Sequence, residues 1–236
     1  MALPVLESNR YKCKLPVSKI EVEYRPFLVK EQKFLLTALE SEETQQVNNS
    51  VLDLIKSCLF TELDANSLPI ADVEYLFLQL RIKSVGETSD IQIPCSNCEE
   101  LNPLTIELEN VNLANVELPN SEIKLREDIV VNLQHPSLKD VPVGITKQED
   151  MKVDDIFGMI RNCVSSVTYK DEVMTKDDFS DSELQDFLEQ FTNDEFAKLQ
   201  SFLVEAPRLV YPLSFTCKKC EHVNEKELVG IQDFFG

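Results

Sequence analysis

The sequence is poor in the residues that most enzymes use for catalysis and phosphate binding. Its 236 residues include two histidines, five glycines and no tryptophan. Two isolated histidines give no recognisable Ser–His–acid arrangement, and so few glycines leave neither a phosphate-cradling loop nor a Walker-type sequence. We therefore expect a protein without enzymatic activity and without a small-molecule substrate.

Basic residues and long apolar runs are also scarce. Lysine and arginine number 23 against 42 aspartates and glutamates, which gives a formal net charge of −19. Such a surface repels a phosphate backbone, so nucleic acid is not an expected partner. No stretch reaches the roughly 20 apolar residues that cross a bilayer, and the first residues lack a signal-peptide core. The sequence thus predicts no membrane association and a cytosolic location in the cell that makes the protein.

A hydrophobic content of 43% is enough for a folded core. After an irregular start interrupted by prolines, the apolar pattern predicts three helices. The first begins near Lys30, the second keeps one face apolar from Val47 to Leu59, and the third runs from Ala71 to Val85. Together they predict a compact N-terminal helical unit.

The pattern then changes to strands and later returns to helices. Alternation of apolar and polar residues predicts short strands on both sides of residues 95–98, over 123–133 and near 213–215. Apolar residues over 153–167 share one helical face, which predicts a single helix across that range.

Two capping boxes follow that predicted helix. Ser180 with Glu183 and Thr192 with Glu195 each place a hydroxyl three residues before a glutamate, ahead of an apolar run. Each box marks a helix start. The sequence therefore predicts a helical hairpin in this region.

The strongest pattern is a repeated cysteine motif. Residues 95–102 read CSNCEELN and residues 217–224 read CKKCEHVN, with matching glutamate, apolar and asparagine positions after each Cys-x-x-Cys pair. A Cys-x-x-Cys turn can point two thiolates at one metal ion, and two turns supply the four sulfur ligands that suit tetrahedral Zn²⁺. We predict that a structural zinc ion is bound by four cysteines: Cys95, Cys98, Cys217 and Cys220.

The two cysteine pairs lie far apart in the sequence. About 120 residues separate Cys98 from Cys217, so a ribbon built from both must be split by an inserted unit. Closure entropy allows this, because it grows by only about 0.6 kcal/mol per doubling of loop length, whereas structural zinc contributes roughly 10–16 kcal/mol.

The predicted class is α+β, with an N-terminal helical unit, a split four-cysteine zinc-ribbon-like β element, and a β-rich and helical insert between its two CxxC knuckles. The predicted segments are 1–90 (N-terminal arm and helical unit), 91–124 (first half of the ribbon with following strands), 125–206 (inserted β/helical unit) and 207–236 (second half of the ribbon and C-terminal tail).

Four cysteine ligands would fill the coordination sphere of zinc, which favours a structural metal over a catalytic one. The alternative is redox chemistry, but a redox Cys-x-x-Cys usually begins a helix in a βαβ unit, and strands are predicted around both pairs. A thiol oxidoreductase would need a markedly acidic Cys95 or Cys217, and we expect neither. His135 and His222 are not needed as ligands and are predicted to lie at the surface.

Three further blocks of sequence are distinctive. They are YRPFLVKE at 24–31, DVEYLFLQLR at 72–81 with KSVGE at 83–87, and the stretch from Phe215 through the second cysteine pair to the terminal Asp-Phe-Phe-Gly. In this order the blocks resemble the T4-like bacteriophage baseplate family, which includes a baseplate hub subunit and a baseplate hub assembly catalyst. The resemblance extends from about residue 24 to residue 236.

The resemblance implies a non-enzymatic phage tail protein, either a hub subunit or an assembly chaperone, that contacts other baseplate hub or tail proteins. It also implies a location in the host cytoplasm during assembly, and in the virion tail baseplate for a subunit. Aromatic and arginine side chains are common interface anchors, and the candidates here are Arg25, Phe27, Phe234 and Phe235. The two terminal phenylalanines could instead pack on their own ribbon.

The alternative function is a zinc-ribbon regulator that binds nucleic acid or polymerase, for which Lys218 and Lys219 are the one hint of a basic face.

Overall fold

The computed structural model describes residues 8–40, 44–115, 121–140 and 152–235. It contains both helices and strands in substantial amounts, which confirms the predicted α+β class. The described strands form four small sheets whose neighbouring strands run antiparallel. Antiparallel neighbours need only tight turns between them, and the two cysteine pairs occupy two of these turns.

The described chain opens with a β-hairpin, so the prediction of an irregular start is wrong. Strand β1 (Tyr11–Lys14) pairs with strand β2 (Glu21–Tyr24). Pro16 lies in the turn between them and Pro26 follows β2, so neither proline removes a hydrogen bond from the ladder. The prolines therefore mark the limits of the hairpin rather than an absence of structure.

Three helices follow the hairpin, as the apolar periodicity predicted: α1 (Val29–Glu40), α2 (Thr44–Cys58) and α3 (Ile70–Ser84). Their apolar faces pack with the hairpin around the fully buried Tyr24, Ile55 and Leu76. This N-terminal core, a cluster of buried side chains drawn from Leu15 to Leu80, thus includes β2 as well as the helices.

The first cysteine pair joins the strands of a second hairpin. Strand β3 (Thr88–Pro94) pairs with β4 (Leu101–Glu107), and the short β5 (Asn112–Ala114) follows in another sheet. Inward-facing Ile91 and Ile106 are buried, so the hairpin carries one apolar face. That face forms part of the ribbon core, which we define as the cluster of Leu78, Ile82, Ile91, Ile106, Leu108, Leu209, Leu228 and Phe234.

A sheet covered by helices lies between β5 and the second cysteine pair in the sequence. Its strands are hydrogen-bonded in the order β6 (Glu122–Lys124), β7 (Ile129–Leu133), β8 (Val164–Tyr169) and β9 (Glu172–Thr175). The helices are α4 (Val153–Cys163), α5 (Asp181–Leu188) and α6 (Asn193–Val204). Val131, Ile160 and Leu199 are fully buried where the helices meet the sheet, and we call the cluster around them the insert core.

The single helix predicted over 153–167 is correct only in its first part. Helix α4 ends at Cys163, and the chain continues directly into β8, where Val167 lies opposite Val131 of β7. Val164 and Val167 fit one face of a helix, but their spacing also fits a strand with a bulge. Since β-branched side chains favour strands and β7 offers a partner ladder, the strand is formed.

Both predicted capping boxes are present. The side chains of Ser180 and Thr192 accept the backbone N–H groups of Glu183 and Glu195, and each glutamate carboxylate accepts the N–H of its cap residue. These bonds fix where α5 and α6 begin, so the predicted helical hairpin is confirmed at both starts.

Glu195 should make the acid stability of the protein depend on its charge. Its hydrogen bonds with the Arg126 guanidinium and the Thr192 N–H lower its pKa to about 2. A carboxyl group whose pKa falls on folding stabilises the fold above its unfolded pKa of about 4.3, and that contribution is lost as the pH falls toward 2. We expect Glu195→Gln to remove this part of the loss of unfolding free energy between about pH 4.5 and pH 2, as measured by urea unfolding at each pH. Glu205→Gln, at an exposed position, is the control. If Glu195→Gln loses as much unfolding free energy as the wild type over this pH range, the assignment is refuted.

The C-terminal segment, which follows the insert in the sequence, supplies the remaining residues of the ribbon core. Strand β10 (Arg208–Thr216) pairs with β11 (Val223–Val229) on one edge and with β5 on the other. The short helix α7 (Gly230–Phe235) follows and packs near α3. Among the helices in the described ranges, none is both long and apolar enough to cross a membrane.

Gly230 should be intolerant of a side chain. Its φ of 72° is a left-handed conformation, and a Cβ atom added there would lie 2.7 Å from Oε1 of Glu74. That oxygen is the end of a flexible side chain and can move aside, so the strain of the left-handed backbone conformation is the larger part of the cost. We expect Gly230→Ala to lower the free energy of unfolding by about 1–2 kcal/mol in urea titrations. Gly158→Ala is the matched control, because a Cβ there meets nothing within 4 Å, and an equal effect of both changes would contradict the expectation.

Along the sequence, the ribbon core is interrupted by the insert core. The ribbon core draws on Leu78 to Leu108 and again on Leu209 to Phe234, with the insert core formed by the chain between. Helix α3 serves two cores, because Leu76 lies in the N-terminal core and Leu78 in the ribbon core. The exact boundaries given for the four segments remain predictions.

Candidate metal centre

The two cysteine pairs lie in turns of the same shape. In each turn the first cysteine donates its N–H to a carbonyl five residues on, from Cys95 to Glu100 at 3.0 Å and from Cys217 to His222 at 2.9 Å. The residue after the second cysteine has a left-handed φ in both turns, 58° at Glu99 and 57° at Glu221. The repeated sequence motif is thus a repeated backbone structure.

The structure brings all four cysteines together. Their sulfur atoms lie within 4.8 Å of one another, and the distances between the two turns are 3.7 Å for Cys95–Cys220 and 3.7 Å for Cys98–Cys217. Four sulfurs at about 2.3 Å from one ion would be separated by about 3.8 Å at the corners of a regular tetrahedron. The observed spacing therefore fits a tetrahedral ion held by four thiolates. Among the described residues, no other group of three or more His, Cys, Asp or Glu is placed for a metal.

Backbone amides within each turn point at the sulfur atoms. The Asn97 N–H donates to Cys95 Sγ and the Lys219 N–H donates to Cys217 Sγ, each at 3.4 Å. These positions correspond in the two turns, two residues after the first cysteine. Such bonds stabilise thiolate over thiol, and thiolate is the form that binds metal.

The thiols differ in acidity. Burial opposes ionisation of Cys95, but N–H bonds from Asn97, Cys98 and Asn224 outweigh it and lower its pKa to about 6. The Glu100 N–H favours the Cys98 thiolate, but proton sharing with the other thiols of the cluster raises its pKa to about 12. Hydrogen bonds from the backbone of its own turn also lower the pKa of Cys217.

The expectation that neither Cys95 nor Cys217 would be acidic is therefore wrong, most clearly for Cys95. The cause is the set of turn amides that surround the sulfurs, which the spacing of the cysteines alone does not reveal. The same donors that would activate a redox thiol also prepare a ligand for metal, so acidity alone does not separate the two chemistries. The convergence of all four sulfurs favours the metal.

The two histidines lie in different environments. His222 is exposed in the second turn, as predicted. His135 is partly buried and stacks on Phe202 with ring centroids 5.2 Å apart, so its predicted surface position is only partly correct. Burial lowers the pKa of His135 and favours its neutral form. It contributes to packing between β7 and α6 and lies outside the four-cysteine group.

The two lysines of the second turn are paired with an acid of the first turn. Lys218 Nζ and Lys219 Nζ lie 3.8 Å and 3.1 Å from carboxylate oxygens of Glu100. The one hint of a basic face is therefore partly neutralised within the site. These exposed pairs also connect the two turns, although water and salt screen them strongly.

The candidate contact residues have partners within the chain. The Arg25 guanidinium lies 2.9 Å from Glu31 and also donates to the Ser57 carbonyl, and Phe27 is 7% exposed in the N-terminal core. Phe234 is fully buried in the ribbon core, which was the alternative interpretation for that residue. The side chain of Phe235 lies outside the described part of the chain. A role of these residues in binding a partner remains a prediction.

Comparison of the sequence with known protein families gives one match. A family model described as T4 bacteriophage base plate protein matches residues 8–236. No curated protein and no solved structure matches the chain. The matched range includes the N-terminal core, the insert core, the ribbon core and all four clustered cysteines, so the similarity is not confined to one motif.

Proposed function

Because the chain belongs to the T4 bacteriophage base plate protein family, we propose that it acts in the baseplate hub, as a hub subunit or as a chaperone of hub assembly. The proposal rests on the family match across residues 8–236. In this role the protein works through contacts with other phage hub or tail proteins, and it catalyses no reaction. It is made in the host cytoplasm, and as a subunit it would remain in the tail of the virion.

The proposal includes a structural zinc ion in a ribbon that is split by the insert. Cys95, Cys98, Cys217 and Cys220 would hold the ion, and the spacing of their sulfurs supports this assignment. Zinc supplies four strong bonds to thiolates and, with four protein ligands, keeps no position open for water. The metal therefore stabilises the fold, which agrees with a protein that binds partners rather than substrates.

Such an ion would join parts of the molecule that lack a shared β-ladder. The β3–β4 hairpin and the β10–β11 hairpin belong to different sheets, so no ladder of backbone bonds connects them. Their inner faces meet in the ribbon core, and their turns meet at the cysteines. A cross-link at the turns would fix the angle between the hairpins.

The low pKa of Cys95 would also suit a redox thiol, but the geometry of the described residues supports neither alternative. A nucleic-acid or polymerase regulator would need an exposed basic face, and Lys218 and Lys219 are paired with Glu100 in a chain of net charge −19. A thiol oxidoreductase would use one cysteine pair, whereas here sulfurs from both turns adjoin. The baseplate role is the one that accounts for the whole matched range.

The role is tested by following the protein through infection. We expect affinity-tagged protein to co-purify with other hub or tail proteins from infected cells at early assembly stages, and cells lacking it to produce no complete baseplates. Mass spectrometry of purified virions then separates the two forms, because a subunit is present in stoichiometric amount and a chaperone is absent. Normal baseplates in its absence, together with no tail protein in the pull-down, would overturn the proposal.

A further inference from the structure

Two buried asparagines connect the cysteine turns in opposite directions. Asn102 follows the first turn, but its Oδ1 accepts the backbone N–H of Lys218 in the second turn at 3.0 Å. Its Nδ2 lies 3.8 Å from Sγ of Cys217, within the range of a hydrogen bond to sulfur. The amide also donates to the Glu100 carbonyl of its own turn at 2.7 Å. One side chain thus contacts the backbone of both turns and a candidate metal ligand.

Asn224 repeats the arrangement from the other side. It follows the second turn, and its Oδ1 accepts the backbone N–H and the hydroxyl of Ser96 in the first turn at 2.8 Å and 2.9 Å. Its Nδ2 lies 3.6 Å from Sγ of Cys95 and 3.0 Å from the His222 carbonyl. Each bond of Asn102 therefore has a counterpart made by Asn224.

The chemistry of these positions requires a carboxamide. Each side chain is almost completely buried, 3% exposed at Asn102 and 2% at Asn224, and each uses an acceptor and a donor at once. Aspartate would keep the acceptor but bring a second negative charge beside a thiolate, and leucine would leave a buried N–H without a partner. Asparagine occupies the corresponding place in both copies of the repeated motif, four residues after the second cysteine.

We propose that Asn102 and Asn224 form a reciprocal clasp that positions the two cysteine turns against each other and tunes how tightly their sulfurs hold metal. The effect of the clasp on metal affinity rests on the proposed zinc site. The bonds to the Lys218 and Ser96 amides join protein to protein and act with or without the ion. The clasp therefore acts as a pair of positioning residues, and it holds the turns in register so that all four sulfurs face one point.

The reciprocal arrangement gives the clasp a distinctive signature. Removal of Asn102 should expose an amide in the second turn, at Lys218, and removal of Asn224 should expose one in the first turn, at Ser96. If each asparagine stabilised only its own turn, its removal would instead expose an amide in that turn. Loss of a hydrogen-bonded group behind a metal ligand typically weakens metal binding by roughly 10- to 100-fold, so zinc affinity should fall by that factor in either variant.

The test uses the full-length protein and three variants, Asn102→Ala, Asn224→Ala and Asn102→Asp, with Asn112→Ala as the control. The exposed amide of Asn112 bonds to the Asn110 carbonyl and to neither turn. Backbone hydrogen exchange followed by NMR should speed up at least about tenfold at Lys218 in Asn102→Ala and at Ser96 in Asn224→Ala. Asn102→Asp keeps the acceptor, so it should retain slow exchange at Lys218 while still losing zinc affinity.

Cobalt provides a second readout that a general loss of stability would not produce. When Co²⁺ replaces zinc, loss of a hydrogen bond to sulfur should move the thiolate-to-cobalt charge-transfer band to lower energy in the clasp variants and leave it in place in the control. Zinc binding and exchange rates in both alanine variants equal to those of Asn112→Ala would overturn the clasp. Wild-type protein that binds no zinc would instead overturn the metal site, and the cross-turn exchange pattern would still decide whether the clasp exists.

Discussion

Replacement of Cys217 with serine should lower the melting temperature of the protein by more than about 10 °C. Structural zinc contributes roughly 10–16 kcal/mol in small zinc modules, which is comparable to the entire stability of an ordinary domain. The hydroxyl of serine is a much poorer zinc ligand than a thiolate, so the variant should lose most of that contribution. Since the two hairpins lie in different sheets, no shared ladder would hold them together in its place. Scanning calorimetry with and without a zinc chelator measures the effect.

Cys13→Ser is the matched control for this change. Cys13 is a partly buried free thiol in the first hairpin, far in sequence from the cluster, and it takes no part in the four-cysteine group. We expect its replacement to lower the melting temperature by no more than about 4 °C. Chelation should destabilise wild type and Cys13→Ser alike and leave Cys217→Ser nearly unchanged. A Cys217→Ser variant that melts with wild type and still responds to chelator would contradict the assignment.

Replacement of Asp72 with alanine should lower the free energy of unfolding by about 2–5 kcal/mol. The Asp72 side chain is fully buried, and its two oxygens accept the backbone N–H groups of Val17 at 2.7 Å and Ser18 at 2.8 Å. Alanine would leave the buried Val17 N–H without an acceptor, at a cost of about 1–3 kcal/mol, and would also break the part-buried bond from Ser18. The bonds also tie the turn of the first hairpin to the start of α3. Urea unfolding monitored by circular dichroism gives the free energy directly.

A conservative variant separates lost hydrogen bonds from lost volume. Asp72→Asn keeps one acceptor oxygen, so its effect should fall between those of wild type and Asp72→Ala. Asp53→Ala, at an exposed position in the middle of α2, controls for the removal of an aspartate from a helix and should change the free energy by no more than about 0.5 kcal/mol. An Asp72→Ala variant as stable as the Asp53→Ala control would show that these buried bonds contribute little.

The grouping of the four cysteines could be predicted from the sequence because the motif is local and repeated. Two Cys-x-x-Cys turns with matching neighbours predict a shared site, whatever the length of chain between them, and the structure places their sulfurs within 4.8 Å of one another. The periodicity of the three N-terminal helices is similarly local, since it depends on residues three and four apart. In both cases a short stretch of sequence carried the information.

The errors arose where distant partners decide the structure. Val164 and Val167 fit a helix by spacing, and it was pairing with β7, earlier in the chain, that made them a strand. The first hairpin gives little periodic signal, because each of its strands has four residues and its prolines lie just outside them. In a hairpin or a sheet, the stabilising contact lies outside the window in which periodicity is assessed.

The clasp shows a different limit. Asn102 and Asn224 were visible as matching positions in the two motifs, but each has its main partner in the other motif. Only the folded structure, in which the two turns lie side by side, reveals that relationship. The terminal Phe234 is a similar case, because the sequence allows either an exposed anchor or a packed side chain, and the ribbon core encloses it completely.

The assignment of the family depended on longer blocks. The segments at 24–31 and 72–87 have no chemistry of their own that identifies a role, and their arrangement in order with the second cysteine pair produced the resemblance. The family match over residues 8–236 confirms it. The structure adds physical reasons for two of these residues, since Asp72 anchors the first hairpin and Arg25 pairs with Glu31.

X-ray absorption at the zinc edge of the purified full-length protein would show directly whether one ion joins the two cysteine turns. We expect one zinc per chain, surrounded by four sulfur atoms at about 2.3 Å and no oxygen or nitrogen ligand. Such a spectrum requires Cys95 and Cys98 to share an ion with Cys217 and Cys220 across the insert. Protein without stoichiometric zinc, or zinc bound by fewer than four sulfurs, would contradict the split ribbon.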